Sequence, residues 1–180
     1  MVLTIDIGNT TIGIGGFQGN KLLFIEKISS RRPLSDAGYI EKLNMILNKH
    51  GLSAEAFEGS MISSVVPSVT AVFSSALETF LGRKPLILSH KLDLGYEICT
   101  EFPEKVGCDR LADIAGAISR YSLPFVTIDL GTATTFNVLD ENRRFLGGLI
   151  LPGVGTAHRA LLGKTAQLPK GDIHMPAHTI

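Results

Sequence analysis

Neither sign of charge is in surplus in this chain: 17 basic residues meet 17 acidic ones, and the formal net charge is zero. A protein without a basic field has little with which to attract a phosphate backbone or an anionic lipid surface. Neither nucleic acid nor membrane is therefore expected as a partner. Long apolar runs are missing too, none approaching the roughly 20 residues of a membrane-spanning helix. The first residues enter a strand pattern directly, without the charged segment, apolar run and cleavage site of a secretory signal. Cysteine is scarce. Cys99 and Cys108 are the only two, their spacing matches no metal or redox motif, and two cysteines make no disulfide framework. A reduced, cytoplasmic protein is the expectation. His50, His90, His158, His174 and His178 show no ligand spacing, and there is no low-complexity tract or block of like charge. What remains is 180 residues at 44% hydrophobic content, enough for the core of one ordinary domain or two small ones.

What the chain does carry is one short pattern, present twice. Val2-Leu3-Thr4-Ile5-Asp6-Ile7-Gly8-Asn9-Thr10-Thr11 is an apolar run of β-type residues that delivers a carboxylate, a glycine and a hydroxyl-rich turn. Val126-Thr127-Ile128-Asp129-Leu130-Gly131-Thr132-Ala133-Thr134 does the same. At one constant offset, Thr4, Ile5, Asp6, Gly8 and Thr11 fall on Thr127, Ile128, Asp129, Gly131 and Thr134. Each copy leads into further strand-like residues, so the pattern predicts two strand–turn–strand units, each with an Asp at the mouth of its turn.

The rest of the chain reads as mixed α/β. Strands are expected at 2–7, 11–17 and 21–25, separated by the turns at Gly8-Asn9 and Gln18-Gly19-Asn20. Ser35 or Asp36 can cap a helix that places Ile40, Leu43 and Leu47 on one face and ends at Gly51. A buried strand over 61–66 is stopped by Pro67. Val69, Val72, Phe73, Ala76, Leu77 and Phe80 then repeat at helical spacing over 68–81, with Gly82 as the C-terminal cap. A strand at 85–88 follows, then an irregular stretch over 90–106 in which Pro103 excludes a continuous element. A helix over 109–121 buries Leu111, Ile114, Ala115 and Ile118. Strands at 125–130, 136–139 and 145–150 and a short helix at 156–166 complete the elements, and Pro169 and Pro176 break the final stretch. The domains expected from this order are 1–110 and 111–180, with the second incomplete.

A strand ending in Asp and followed by a Gly-rich hydroxyl turn suits triphosphate chemistry. Gly8 and Gly131 let backbone approach phosphate oxygens, and the side chains of Asn9, Thr10 and Thr11, or of Thr132 and Thr134, can donate to them. Asp6 can hold a hydrated Mg²⁺ against the phosphates. One such hairpin alone would be read as a turn and nothing more; two aligned copies favour the phosphate site. A pair of aspartic-protease turns would want a hydroxyl residue between Asp and Gly, where Ile7 and Leu130 stand, and the amphipathic helices argue against an all-β hydrolase. In Gly107-Cys108-Asp109-Arg110, Asp109 can be either a helix-capping carboxylate or a general base. Arg110 beside it can bind an anionic substrate through its planar fork. Spacing alone leaves that choice open. Leu146-Gly147-Gly148 and Pro152-Gly153 permit close backbone approach, although such glycines usually serve tight turns.

Five segments together resemble the type III pantothenate kinases over the whole chain. They are Asp6-Ile7-Gly8-Asn9-Thr10, Ser64-Val65-Val66-Pro67, Gly107-Cys108-Asp109-Arg110, Asp129-Leu130-Gly131-Thr132-Ala133-Thr134-Thr135, and Leu146-Gly147-Gly148 through Pro152-Gly153. The resemblance implies a duplicated actin-like ATPase (ribonuclease H-like) α/β fold, with mixed sheets flanked by helices. It implies a homodimer that phosphorylates pantothenate with ATP, Mg²⁺ and a monovalent cation (K⁺ or NH₄⁺) at the first step of coenzyme A synthesis. By that resemblance Asp6, Ile7, Gly8, Asn9, Thr10, Thr11, Ile12 and Gly13 form the first phosphate motif, with Thr132 a further ATP contact. Asp109 is the base that deprotonates the pantothenate hydroxyl, and Gly107, Cys108, Asp109 and Arg110 form the substrate segment. Asp129 is the monovalent-cation ligand.

The chain departs from the family where Thr100 takes the place of a Tyr, Phe102 of an Asn beside Pro103, and Asp113 of an Asn. Thr100 and Phe102 bear on the substrate pocket. The family also continues beyond Ile180, with a Gly-x-Asn-Thr segment and a glycine-rich adenosine motif. The expected nucleotide pocket is accordingly partial. The alternative is a non-catalytic relative, a transcription accessory factor type that keeps the fold; Thr100 and Phe102 favour it, while Asp6, Asp109, Arg110 and Asp129 favour the enzyme.

Overall fold

The computed structural model describes residues 1–165, so the expectations for Pro169, Pro176, His174 and His178 lie outside the described residues. Strands β1 (Val2–Ile7), β2 (Thr11–Gln18) and β3 (Lys21–Ser29) form the expected meander, followed by α1 (Asp36–Lys49), β4 (Gly59–Ser64), α2 (Pro67–Leu81) and β5 (Leu86–Ile87). They build one mixed sheet in the order β3-β2-β1-β4-β5, with β1 and β2 antiparallel and β1 and β4 parallel. The two-residue alternation of β1 decides its faces. Leu3, Ile5 and Ile7 are fully buried with Tyr39, Leu43 and Leu47 of α1 and Phe73 and Leu77 of α2. Thr4 and Asp6 are left on the opposite face, lining a cleft.

Local signals set the helix ends. The Ser35 hydroxyl accepts from the Gly38 amide and caps α1. Gly82 closes α2 in the left-handed conformation, with φ of 66°, which costs a residue without Cβ little. Pro67 does more than stop a strand. It is the first residue of α2, where its missing N–H would have found no helical partner anyway. β4 ends at Ser64, and the Ser64 hydroxyl accepts from the Val66 amide and from Thr70 Oγ1.

The second sheet is built from β6 (Glu97–Ile98), β7 (Phe125–Leu130), β8 (Ala133–Leu139) and β9 (Arg144–Pro152) in the order β6-β9-β8-β7. β6 lies in the stretch expected to be irregular. Between β6 and β7 stands α3 (Cys108–Ile118), and α4 (Val154–Lys164) follows β9. α3 bridges the sheets, packing on β4 of the first and on β7 and β8 of the second. It buries Leu111, Ile114 and Ala117, and its end at Ile118 comes three residues before the expected one. Ile114 joins Leu139 and Phe145 in a small second core.

The two copies of the pattern differ in surroundings and in turn length. Leu3, Ile5 and Ile7 are at most 1% exposed, whereas Val126, Ile128 and Leu130 are 54%, 57% and 74% exposed. Ile7 pairs with Ile12, leaving residues 8–11 between them; Leu130 pairs with Thr134, leaving only 131–133. The second turn is one residue shorter, so Thr11 and Thr134, aligned by sequence, are not equivalent in the ladders. Among the described residues no helix is long and apolar enough to cross a membrane.

Candidate active site

A cleft of about 490 Å³ lies between the sheets, lined by Asp6, Thr11 and Gly13 from the first hairpin, Asp109 and Asp113 from α3, and Asp129 from β7. Four carboxylates thus face one cavity from three elements. The ladder explains the space around Asp6. Its neighbours across the sheet are Gly13 on β2 and Ser63 on β4, and cross-strand partners share a face. One neighbour has no side chain and the other a small hydroxyl. The two signature turns meet directly, with Thr10 Oγ1 and Thr132 Oγ1 3.0 Å apart. Thr132 is held in turn, because its carbonyl accepts from the Gly153 amide at 3.1 Å and from Thr156 Oγ1 at 2.8 Å.

Asp109 stands in the first turn of α3, where its Oδ1 accepts from the Arg110 amide at 2.8 Å. It therefore binds one free amide of the first helical turn and also lines the cleft, so a structural and a chemical role are compatible here. Gly107 makes room for it: a Cβ at position 107 would overlap Asp109 Oδ1. A flexible side chain can swing away at little cost to the fold, but this carboxylate would leave its place. Gly107→Ala is accordingly expected to lower activity at least tenfold while changing unfolding free energy by less than about 1 kcal/mol. Paired kinetic and urea-denaturation measurements check this.

Arg110, in the segment expected to bind substrate, faces a different wall from Asp109. Arg110 Nε donates to Asn137 Oδ1 at 2.6 Å and its Nη2 to the Phe136 carbonyl at 3.2 Å. Thr100 lies against Gly147, and its hydroxyl is buried without a hydrogen-bond partner in the structure. Arg110 and Thr100 thus flank the consecutive glycines 147 and 148. Cys108 turns away, its thiol donating to the Leu88 carbonyl, and burial raises its pKa. Ile7 and Ile12 also turn away, with side chains wholly within the helix-covered core, so that only their backbone can face a ligand. Phe102 is partly exposed beneath the ammonium of Lys105, 3.9 Å from the ring centroid. Asn137, which the sequence reading did not single out, is the polar residue buried deepest beside the site.

Burial, and after it the crowding of carboxylates, raises the pKa of two of these groups. Asp6 opens onto the cavity yet is surrounded by protein. Burial raises its pKa, Asp109 and Asp129 add to the rise, and the Ser63 hydroxyl and Lys27 oppose it. Asp113 is pushed up to about 6, by burial first and then by Asp129, Asp109 and Asp6, with Arg110 pulling the other way. The folded protein thus keeps the Asp113 proton at pH values where the unfolded chain, near 3.8, has released it. That stabilising protonation is fully present below about pH 3.8 and is lost as pH rises through about 6. Asp113→Asn is expected to stabilise the cation-free protein by about 1–2 kcal/mol at pH 8, after discounting for solvent screening. The gain should shrink toward zero near pH 4, as denaturant unfolding at the two pH values will show.

Among the described residues no three His, Cys, Asp or Glu side chains converge tightly enough to hold a metal by themselves. The cleft offers negative charge and open space in place of a closed cage.

Known proteins resemble the chain over its whole length. The family model for type III pantothenate kinase matches residues 2–180. A type III pantothenate kinase from Bifidobacterium animalis subsp. lactis is 40% identical over 176 residues, covering 98% of this chain and 70% of that protein. One from Finegoldia magna is 36% identical over 180 residues, covering 100% and 69%. Among solved structures, one assigned to the Baf family of transcriptional activators, from Campylobacter jejuni, aligns with a TM-score of 0.55 at 16% identity, covering 99% of this chain and 68% of its own. One assigned as an N-acetylglucosamine kinase, from Porphyromonas gingivalis, gives 0.52 at 17%, covering 95% and 59%. At these identities the structures speak for the fold alone.

Proposed function

The chain belongs to the type III pantothenate kinase family, a family of phosphotransferases, and on that premise we propose that it transfers the γ-phosphoryl group of ATP to the hydroxyl of pantothenate, giving 4′-phosphopantothenate. The observation that carries this reading is the convergence of both signature turns and the α3 N-terminus on one cleft. Phosphoryl transfer asks chiefly for positioning and for neutralisation of charge. The Gly8 amide closes the first turn on the Thr11 carbonyl, and the side chains of Asn9, Thr10 and Thr11, with Thr132 where the two turns meet, supply donors for phosphate oxygens. Asp109 takes the proton of the attacking hydroxyl as its oxygen bonds to the γ-phosphorus and the bond to the ADP oxygen breaks. Arg110 binds the carboxylate of the acid, with Thr100 and the glycines of β9 beside it.

The donor set fits a hydrated Mg²⁺ at Asp6 and a monovalent cation, K⁺ or NH₄⁺, at Asp129. When bound, these ions supply the positive charge that offsets the triphosphate and the cleft's own carboxylates. We further infer from family membership that the working form is a homodimer; sedimentation giving monomer alone would remove that inference. The catalytic reading is tested by ADP release in the presence of Mg²⁺ and K⁺. It predicts release that depends on pantothenate and falls when either cation is withheld. Release indifferent to pantothenate would count against this acceptor.

A further inference from the structure

Arg110 is fixed by groups that carry no charge. Asn137 Oδ1 takes its Nε–H, the Phe136 carbonyl takes one N–H of Nη2, and the Phe145 ring lies under the guanidinium, 5.4 Å from centroid to Cζ. A Cβ on Gly148 would come within 3.0 Å of Nη2, so the bare glycine lets the fork lie against β9. A guanidinium has five N–H donors, and two are engaged here. Among the described residues, none of the ion pairs includes Arg110. Its charge is uncompensated at contact distance, and three donors remain for a ligand.

Asn137 sets that geometry. It is 0% exposed, and its Nδ2 donates to Thr127 Oγ1 at 3.0 Å. That bond fixes the amide so that only Oδ1 faces Arg110. A buried amide is costly unless both ends are bonded, and here both are. The first hairpin shows the contrast. Thr127 pairs with Asn137, whereas the matching Thr4 pairs with Gly15; only the hairpin beside the arginine carries the amide.

We propose that Asn137 is a positioning residue for substrate recognition: it holds Nε of Arg110 so that the free face of the guanidinium is preset for the carboxylate of the acid substrate. A long, flexible side chain held in its binding geometry before the ligand arrives loses less freedom on binding, and the planar fork gains most from fixed orientation. The inference rests on the reading of Arg110 as the carboxylate's partner.

Calorimetric dissociation constants for pantothenate, and for its carboxamide analogue, which lacks the charge, test it without requiring turnover. Asn137→Leu is expected to weaken pantothenate binding about tenfold. Asn137→Asp, which keeps an oxygen acceptor against Nε, should restore binding to within about threefold of the wild type. The carboxamide should bind all three proteins alike, and Arg110→Ala should erase the effect of Asn137→Leu in the double variant. A loss in Asn137→Leu that Asp does not rescue, or that strikes the carboxamide equally, would overturn the positioning role and leave a packing role. Binding weakened by Arg110→Ala but untouched by Asn137→Leu would overturn this inference alone. Binding indifferent to Arg110→Ala, or absent from the wild type, would overturn the reading of Arg110 and the inference with it.

Discussion

Asp109→Asn is expected to lower pantothenate phosphorylation by about 10²–10⁴-fold, the range that a positioned general base contributes, with little change in stability. The amide keeps an oxygen that can accept from the Arg110 backbone, so the cap at the start of α3 survives, but it cannot take the hydroxyl proton. Pantothenate should still bind, because Arg110 is held by Asn137 and Phe136 and not by Asp109. The variant also removes a charge that raises both Asp6 and Asp113. Its residual activity should therefore have a pH profile displaced toward lower pH. A variant with undiminished turnover would refute the base assignment while leaving the rest of the site intact.

Gly148→Ala is expected to cost about 3 kcal/mol or more of unfolding free energy. A Cβ at 148 would overlap the Phe136 carbonyl across the β8–β9 ladder. Backbone, unlike the tip of a side chain, cannot step aside without bending the sheet. That same carbonyl accepts from Arg110, so pantothenate binding should weaken along with stability. Gly116→Ala is the control: it lies exposed within α3 with nothing within 4 Å of the added Cβ, and it should gain up to about 1 kcal/mol from helix propensity. Equal and small effects at the two positions, measured by denaturant unfolding, would show that the β8–β9 contact is looser than described.

Much of this architecture could be read from the residues because the signals were local and repeated. The apolar run of β-type residues from Val2 to Ile7 marked the strand, and the structure adds that its alternation buries Leu3, Ile5 and Ile7. The helical spacing from Val69 to Leu77 with Gly82 behind it fixed α2, and Ser35 fixed the start of α1. What escaped the reading depends on partners distant in the chain. β6 is two residues long and exists because Glu97 and Ile98 pair with Arg144 and Phe145, which leaves no periodicity to see. The shorter second turn is a property of the ladder, invisible to an alignment that matched Thr11 with Thr134. The site was legible where motif and position coincide, at Asp6, Asp109 and Asp129, which line one cleft. It was less legible where a motif residue turns inward, as Ile7 and Ile12 do. Asn137 was missed because a lone amide in a strand carries no pattern; its one trace was a polar residue on the same strand face as Leu139.

On the proposed function, this cleft passes a phosphoryl group from ATP to pantothenate. Its most direct test follows label from γ-labelled ATP with Mg²⁺ and K⁺ present, identifying the product by mass. Label is expected on the hydroxyl of pantothenate with the wild-type protein and near background with Asp109→Asn. Label that appears only as inorganic phosphate, or no transfer by a protein that binds both ATP and pantothenate, would contradict it.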